Sequence, residues 1–154
     1  VAPVVQIRLK VEINCFENFN VLGLEKVPFR MYNPWFTGDA KLTTYKFEEL
    51  LGTKLRALYQ RKKGRDLFDL YVALQRRDVN VEQVMQCYKK YMEFVVEKAP
   101  SYKQFVNNMQ EKMADSEFTG DMQALLRPEL SFNPAEAYPI IFSTFIDRMD
   151  GKRD

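Results

Sequence analysis

The hydrophobic period of this chain changes once, at Lys46, and that change decides its fold class. Before it, Val5, Ile7, Leu9, Val11, Ile13 and Cys15 alternate with Gln6, Arg8, Lys10, Glu12 and Asn14, the period of two expected of a strand with one buried side. Residues 27–32 and 41–45 are shorter strand candidates, parted by the turn chemistry of Asn33-Pro34 and Thr37-Gly38-Asp39. After Lys46 the apolar residues recur at helical spacing. The pattern predicts an α+β fold: a small, mostly antiparallel sheet from residues 4–15, 27–32 and 41–45, followed by a bundle of about five or six helices.

Two helix starts are written in the residues themselves. Asn80 with Gln83, and Ser101 with Gln104, read as N-caps with capping-box partners. One precedes the stripe Val81, Val84, Met85, Tyr88, Met92, Val95, Val96, and the other precedes Tyr102, Phe105, Val106, Met109, Met113; Pro100 separates them. A last helix carries Tyr138, Ile141, Phe142, Phe145 and Met149 inward, its start blurred by Pro134 and Pro139. Stripes of Met and aromatic residues at this spacing are bundle core rather than a cofactor box.

At 154 residues the chain is read as one compact unit, with residues 1–45 forming the sheet and residues 46–150 the bundle. A hydrophobic share of 46% with 14% aromatics argues against disorder. The chain has no histidine, so it cannot by itself build a Ser-His-Asp or Cys-His nucleophile or a His-containing zinc site. Cys15 and Cys87 form no CxxC and read as free thiols. No apolar run approaches the roughly 20 residues of a membrane helix, and no signal peptide opens the chain. The expectation is a soluble, cytoplasmic protein with no membrane partner.

The densest chemistry lies between Glu48 and Leu70. Phe47, Leu50, Leu51, Leu55 and Leu58 define an inward stripe, and Lys54 falls inside it, so its ammonium must snorkel out or meet an anion. From Lys54 to Arg65 stand Lys54, Arg56, Arg61, Lys62, Lys63 and Arg65 with no acid among them, a candidate anion site. Gly64 breaks the helix, and Asp66 and Asp69 open the next one. A plainer reading pairs Arg65 with Asp69 four residues on and leaves Asp66 to the helix dipole.

Taken together, Glu49, the Lys54-Leu-Arg-Ala-Leu58 helix, Arg61-x-Lys63-x-Arg65-Asp66 and Asp69-Leu70 resemble the C-terminal signature of the AbiEii/AbiGii-type nucleotidyltransferase toxins. Leu9-Lys-Val-Glu-Ile-Asn14, followed by Glu17, is similar to the strand that carries the third catalytic carboxylate in that family; on spacing alone it reads first as a solvated strand face. The resemblance implies that the sheet is the remnant of a nucleotidyltransferase core. It implies Lys54 and Asp66 as catalytic residues, with Asp66 acting near the nucleophile or holding the basic side chains in place. Lys10, Arg61, Lys63 and Arg65 would bind phosphate, Glu12 would be a Mg²⁺ ligand, and Asp69 and Asn14 would support them.

The same resemblance implies transfer of a nucleoside monophosphate from a nucleoside triphosphate to an acceptor such as tRNA, and a cognate antitoxin as partner. The Gly-Ser turn and the Asp-x-Asp pair that hold metal in such enzymes do not occur in this sequence, and Val1 is not an initiator methionine. The expectation is therefore a remainder of a longer chain, or the product of a shortened gene, that does not turn over as it stands. The alternative is a non-catalytic helical module that binds nucleic acid or the antitoxin. Glu12, Lys54 and Asp66 are expected to converge on one cleft, with Asp66 pointing into it.

Overall fold

The computed structural model describes residues 8–13, 15–96 and 98–149. Its sheet is a single antiparallel hairpin, β1 Leu24–Tyr32 and β2 Thr37–Tyr45. The register runs from Leu24 opposite Tyr45 to Tyr32 opposite Thr37. Both strands are longer than the segments read from the sequence. At the tip, Asn33 Oδ1 accepts the amides of Trp35 and Phe36, each at 2.9 Å, the Asx-turn chemistry that Asn-Pro announces.

Among the described residues the N-terminal strand is not formed. Residues 8–13 and 15–20 are irregular, and Leu9, Val11 and Ile13 are 87%, 74% and 80% exposed; residues 4–7 and Asn14 lie outside the described residues. Alternation fixes which side chains share a face, but a strand also needs an edge to pair with. Among the described residues β1 and β2 pair only with each other. The α+β class stands, with two strands among the described residues where the sequence reading has three.

Six helices follow among the described residues: α1 Phe47–Gln60, α2 Gly64–Arg76, α3 Val81–Val95, α4 Tyr102–Met113, α5 Ser116–Gly120 and α6 Pro134–Thr144, then a 3₁₀ turn at Ile146–Arg148. Both residues cap their helices, but only one of the two expected capping boxes closes. Asn80 accepts the amide of Gln83 at 3.2 Å, and Ser101 with Gln104 forms the reciprocal capping box.

Leu55 and Leu58 of α1, Leu67 and Leu70 of α2, and Phe105 and Met109 of α4 are fully buried, with Ile141 and Phe145 closing the core at the end of α6. Each such side chain contributes roughly 1.5–3 kcal/mol on burial. Two glycines set the helix spacing. A Cβ at Gly52 would stand 2.6 Å from Cys87 Cβ, and one at Gly64 would stand 2.2 Å from the Phe118 carbonyl oxygen. α1 therefore packs directly on α3, and the first turn of α2 rests on the backbone of α5.

Candidate functional site

The close approach at Gly64 brings the end of α1 and the start of α2 together. Asp66, in the first turn of α2, is fully buried, and such a carboxylate needs partners to offset its lost hydration. It has three contacts. Arg61 Nε donates to Oδ2 and Arg61 Nη2 to Oδ1, both at 2.6 Å, and Lys54 Nζ lies 3.4 Å from Oδ1. The two-pronged guanidinium is the stronger arrangement. Lys54 also meets Asp69 Oδ2 at 2.6 Å, and its side chain remains 34% exposed. The ammonium inside the apolar stripe thus faces anions.

The sequence reading has Asp66 pointing into a cleft; its carboxylate is instead enclosed and orients the two cations. Lys54, Arg61, Asp66 and Asp69 form one cluster. Glu12 is not part of it: this exposed carboxylate pairs with Lys10 at 2.5 Å. Asn14 lies outside the described residues. Arg65 pairs with Asp121 rather than with Asp69, through Nε at 3.1 Å and its own backbone amide at 3.0 Å. The guanidinium holds the Asp121 carboxyl below its usual range. Lys62 pairs with Asp115, and Lys63, at the N-cap of α2, is exposed.

Beside the cluster opens a cleft of about 250 Å³ lined by Glu17, Tyr45, Lys54, Arg56, Arg61 and Tyr91 among others. Arg56 grips Glu17 with both terminal nitrogens, Nη2 at 3.1 Å, and lies over the Tyr91 ring at 5.4 Å. Behind it, the fully buried Glu49 accepts the amides of Val21 and Leu22 at 2.7 and 2.9 Å and the Tyr91 hydroxyl at 2.7 Å. Burial, and next the bond to Glu49, push the Tyr91 phenol up.

This Glu49 clamp fixes residues 17–22, and with them Glu17, against the helices. Sequence reading counted Arg56 in the basic run and quoted Glu49 and Glu17 only within the family motifs, and it did not single out Tyr91. Glu49 left a signal, a carboxylate in the first turn of a helix whose next two residues, Leu50 and Leu51, belong to the apolar stripe.

A family model described as nucleotidyl transferase AbiEii toxin, type IV toxin–antitoxin system, matches residues 1–145. The chain belongs to the AbiEii nucleotidyl transferase toxin family. No curated protein and no solved structure matches it. Membership brings a nucleotide substrate and an antitoxin partner at the level of the family, and nucleotidyltransferases generally use a divalent metal.

The described AbiEii residues do not fit a metal on their own. Asp66, Asp69 and Glu17 are each held by Lys or Arg, and no group of three His, Cys, Asp or Glu among the described residues is placed to share an ion. No described helix is long and apolar enough to cross a membrane.

Proposed function

We propose that the cleft beside Lys54, Arg56 and Arg61 receives the phosphates of a nucleoside triphosphate, and that the basic run Lys62, Lys63 and Arg65 meets an acceptor strand such as tRNA. What supports the reading is one observation: three cations line a single cleft, and the one on the apolar stripe, Lys54, keeps a third of its side chain open to solvent. Phosphoryl transfer depends on positioning and charge neutralisation. Asp66 and Asp69 hold Lys54 and Arg61 at the cleft wall; an incoming phosphate takes the exposed side of each cation while the buried carboxylate keeps it aimed. Lys54 touches the nucleotide, whereas Asp66 is a positioning residue.

Glu12, with Lys10 and Asn14 near it in sequence, is the proposed contribution of this chain to a Mg²⁺ site completed by carboxylates that the sequence does not contain. The chain alone therefore binds without turning over. The cytoplasm, where nucleoside triphosphates and tRNA meet, is the proposed compartment. The second reading, a non-catalytic module for nucleic acid or antitoxin, draws on the pairing of each cleft carboxylate with a cation.

A filter-binding titration with labelled nucleoside triphosphate, beside a transfer assay on the same sample, tests the proposal. The expected result is weak, salt-dependent binding that Lys54→Ala reduces by about tenfold, with no transfer. Transfer by the chain alone would show that the Asp-x-Asp pair is dispensable; unchanged binding by Lys54→Ala would leave the second reading standing.

A further inference from the structure

The turn of the hairpin fixes which backbone groups of β1 and β2 face outward. Asn33 and Phe36 each donate a backbone N–H to the other's carbonyl, at 2.9 and 3.3 Å. Bonded and unbonded pairs alternate along an antiparallel ladder, so Tyr32 opposite Thr37 is an unbonded pair, and so in turn are Arg30 opposite Asp39, Pro28 opposite Lys41 and Lys26 opposite Thr43. Their backbone groups point away from the hairpin. On β1 that edge is blunted, because Pro28 has no N–H. On β2 it is open: Thr37, Asp39, Lys41 and Thr43 are exposed and present donors and acceptors in a row to an extended chain.

The two sides of the ribbon differ. Val27, Phe29 and Met31 share one side with Ala40 and Leu42, and all are exposed. A lone two-stranded hairpin with an apolar side is marginal in water, and further strands stabilise it. The other side carries Asp39 and Lys41. Asp39 meets Arg30 Nε at 3.3 Å, yet its side chain is 63% exposed. An acid and a base thus stand two residues apart, on one face of an unpaired edge, and an antiparallel copy of the same strand presents them in reverse order.

We infer that β2 pairs edge to edge, antiparallel, with β2 of a second copy of this chain. When Asp39 stands opposite Lys41 of the copy, two-fold symmetry sets Lys41 opposite the copy's Asp39, and Thr37 and Thr43 face each other. A shift of two residues either way puts Lys41 opposite Lys41 or Asp39 opposite Asp39, and opposed like charges are destabilising. A shift of one residue turns the apolar side over. In the complementary register Leu42 stands opposite Gly38 of the copy, a position without a Cβ that the Phe36 ring already flanks. The product is a four-stranded sheet, apolar on one side and charged on the other. This inference does not rest on the function proposed above.

One pair of short strands lies at the low end of specific interfaces, so a dissociation constant of about 10–100 µM is expected. Sedimentation equilibrium of the whole chain across that range is the test, with circular dichroism to show that each variant is folded. Lys41→Glu and Asp39→Lys each set like charges across the edge and are expected to weaken self-association by about tenfold. An equimolar mixture of these two variants is expected to recover it as a mixed dimer, because each strand then carries one sign. Thr43→Pro removes an outward N–H, as Pro28 does on β1, without changing charge, and is expected to weaken the dimer as well.

A monomer at every concentration overturns the inference and leaves the edge to a strand of another protein, the antitoxin included. A dimer that Lys41→Glu and Thr43→Pro leave intact overturns it too, as does a mixture that associates no better than its two components.

Discussion

The Tyr91 hydroxyl of α3 donates to Glu49 Oε1 of α1 at 2.7 Å, and the same carboxylate takes the amides of Val21 and Leu22. One buried acid thereby joins two helices to the segment that carries Glu17. Tyr91→Phe removes one donor and leaves two, at an expected cost of about 1–2 kcal/mol, whereas Glu49→Gln sets an amide donor against backbone N–H groups and costs about 2–3 kcal/mol. Urea titration checks the ranking. Hydrogen exchange adds a local measure: the Val21 and Leu22 amides lose protection in Glu49→Gln and keep it in Tyr91→Phe.

Asp66 has unequal partners. Arg61 gives it two bonds at 2.6 Å, and Lys54 stands at 3.4 Å. Arg61→Ala leaves a fully buried carboxylate with one distant cation and is expected to destabilise by about 3 kcal/mol. Lys54→Ala leaves both guanidinium bonds in place and is expected to cost about 1 kcal/mol or less. Equal losses in denaturation would mean that the lysine and the arginine share the compensation of the buried charge.

Two glycines in the same region give opposite expectations. At Gly64 a Cβ would collide with the Phe118 carbonyl, whereas at Gly120 nothing lies within 4 Å. Gly64→Ala is expected to lose about 2 kcal/mol or more by overpacking against backbone and to loosen the Lys62–Asp115 and Arg65–Asp121 pairs. Gly120→Ala is expected to be neutral or to gain up to about 1 kcal/mol from helix propensity. Thermal unfolding of the two variants beside the parent chain decides it.

Burial pushes the Lys112 ammonium down to about 8 from 10.5. Between those values the unfolded chain holds this proton and the folded chain does not, so this group makes stability rise with pH from about 8 upward. Cys87 opposes it. Burial raises that thiol from 9.0 to about 11, so stability falls as pH climbs from 9 to 11. The net gain is confined to roughly pH 8–9, and Lys112→Met should abolish it. Stability measured across that interval in both chains is the check.

The helix caps at Asn80 and Ser101 were legible because a cap is local chemistry. So was the anionic company of Lys54, since a lysine in an apolar stripe has few other options. The same signal stands at Lys112, three residues after Met109, and marks a buried cation. What sequence could not supply was the partner of a charge when several candidates stood nearby: Arg65 has Asp69 at helical spacing, yet pairs with Asp121, which folding brings back from α5. The segment around Leu9, Val11 and Ile13 shows the same limit for strands, because its alternation carries no information about the edge it must meet.

No residue of β1 or β2 is buried, and Leu24 and Tyr45, where the hairpin leaves and rejoins the chain, face each other in register. Paired residues in an antiparallel ladder stand about 5 Å apart at Cα, a gap that one or two residues span. The ribbon is thus an appendage whose tip can lengthen or shorten without disturbing the helices, while Tyr45 at its base stays at the cleft and the Glu49 clamp and the Arg61–Asp66 pair hold the remainder together.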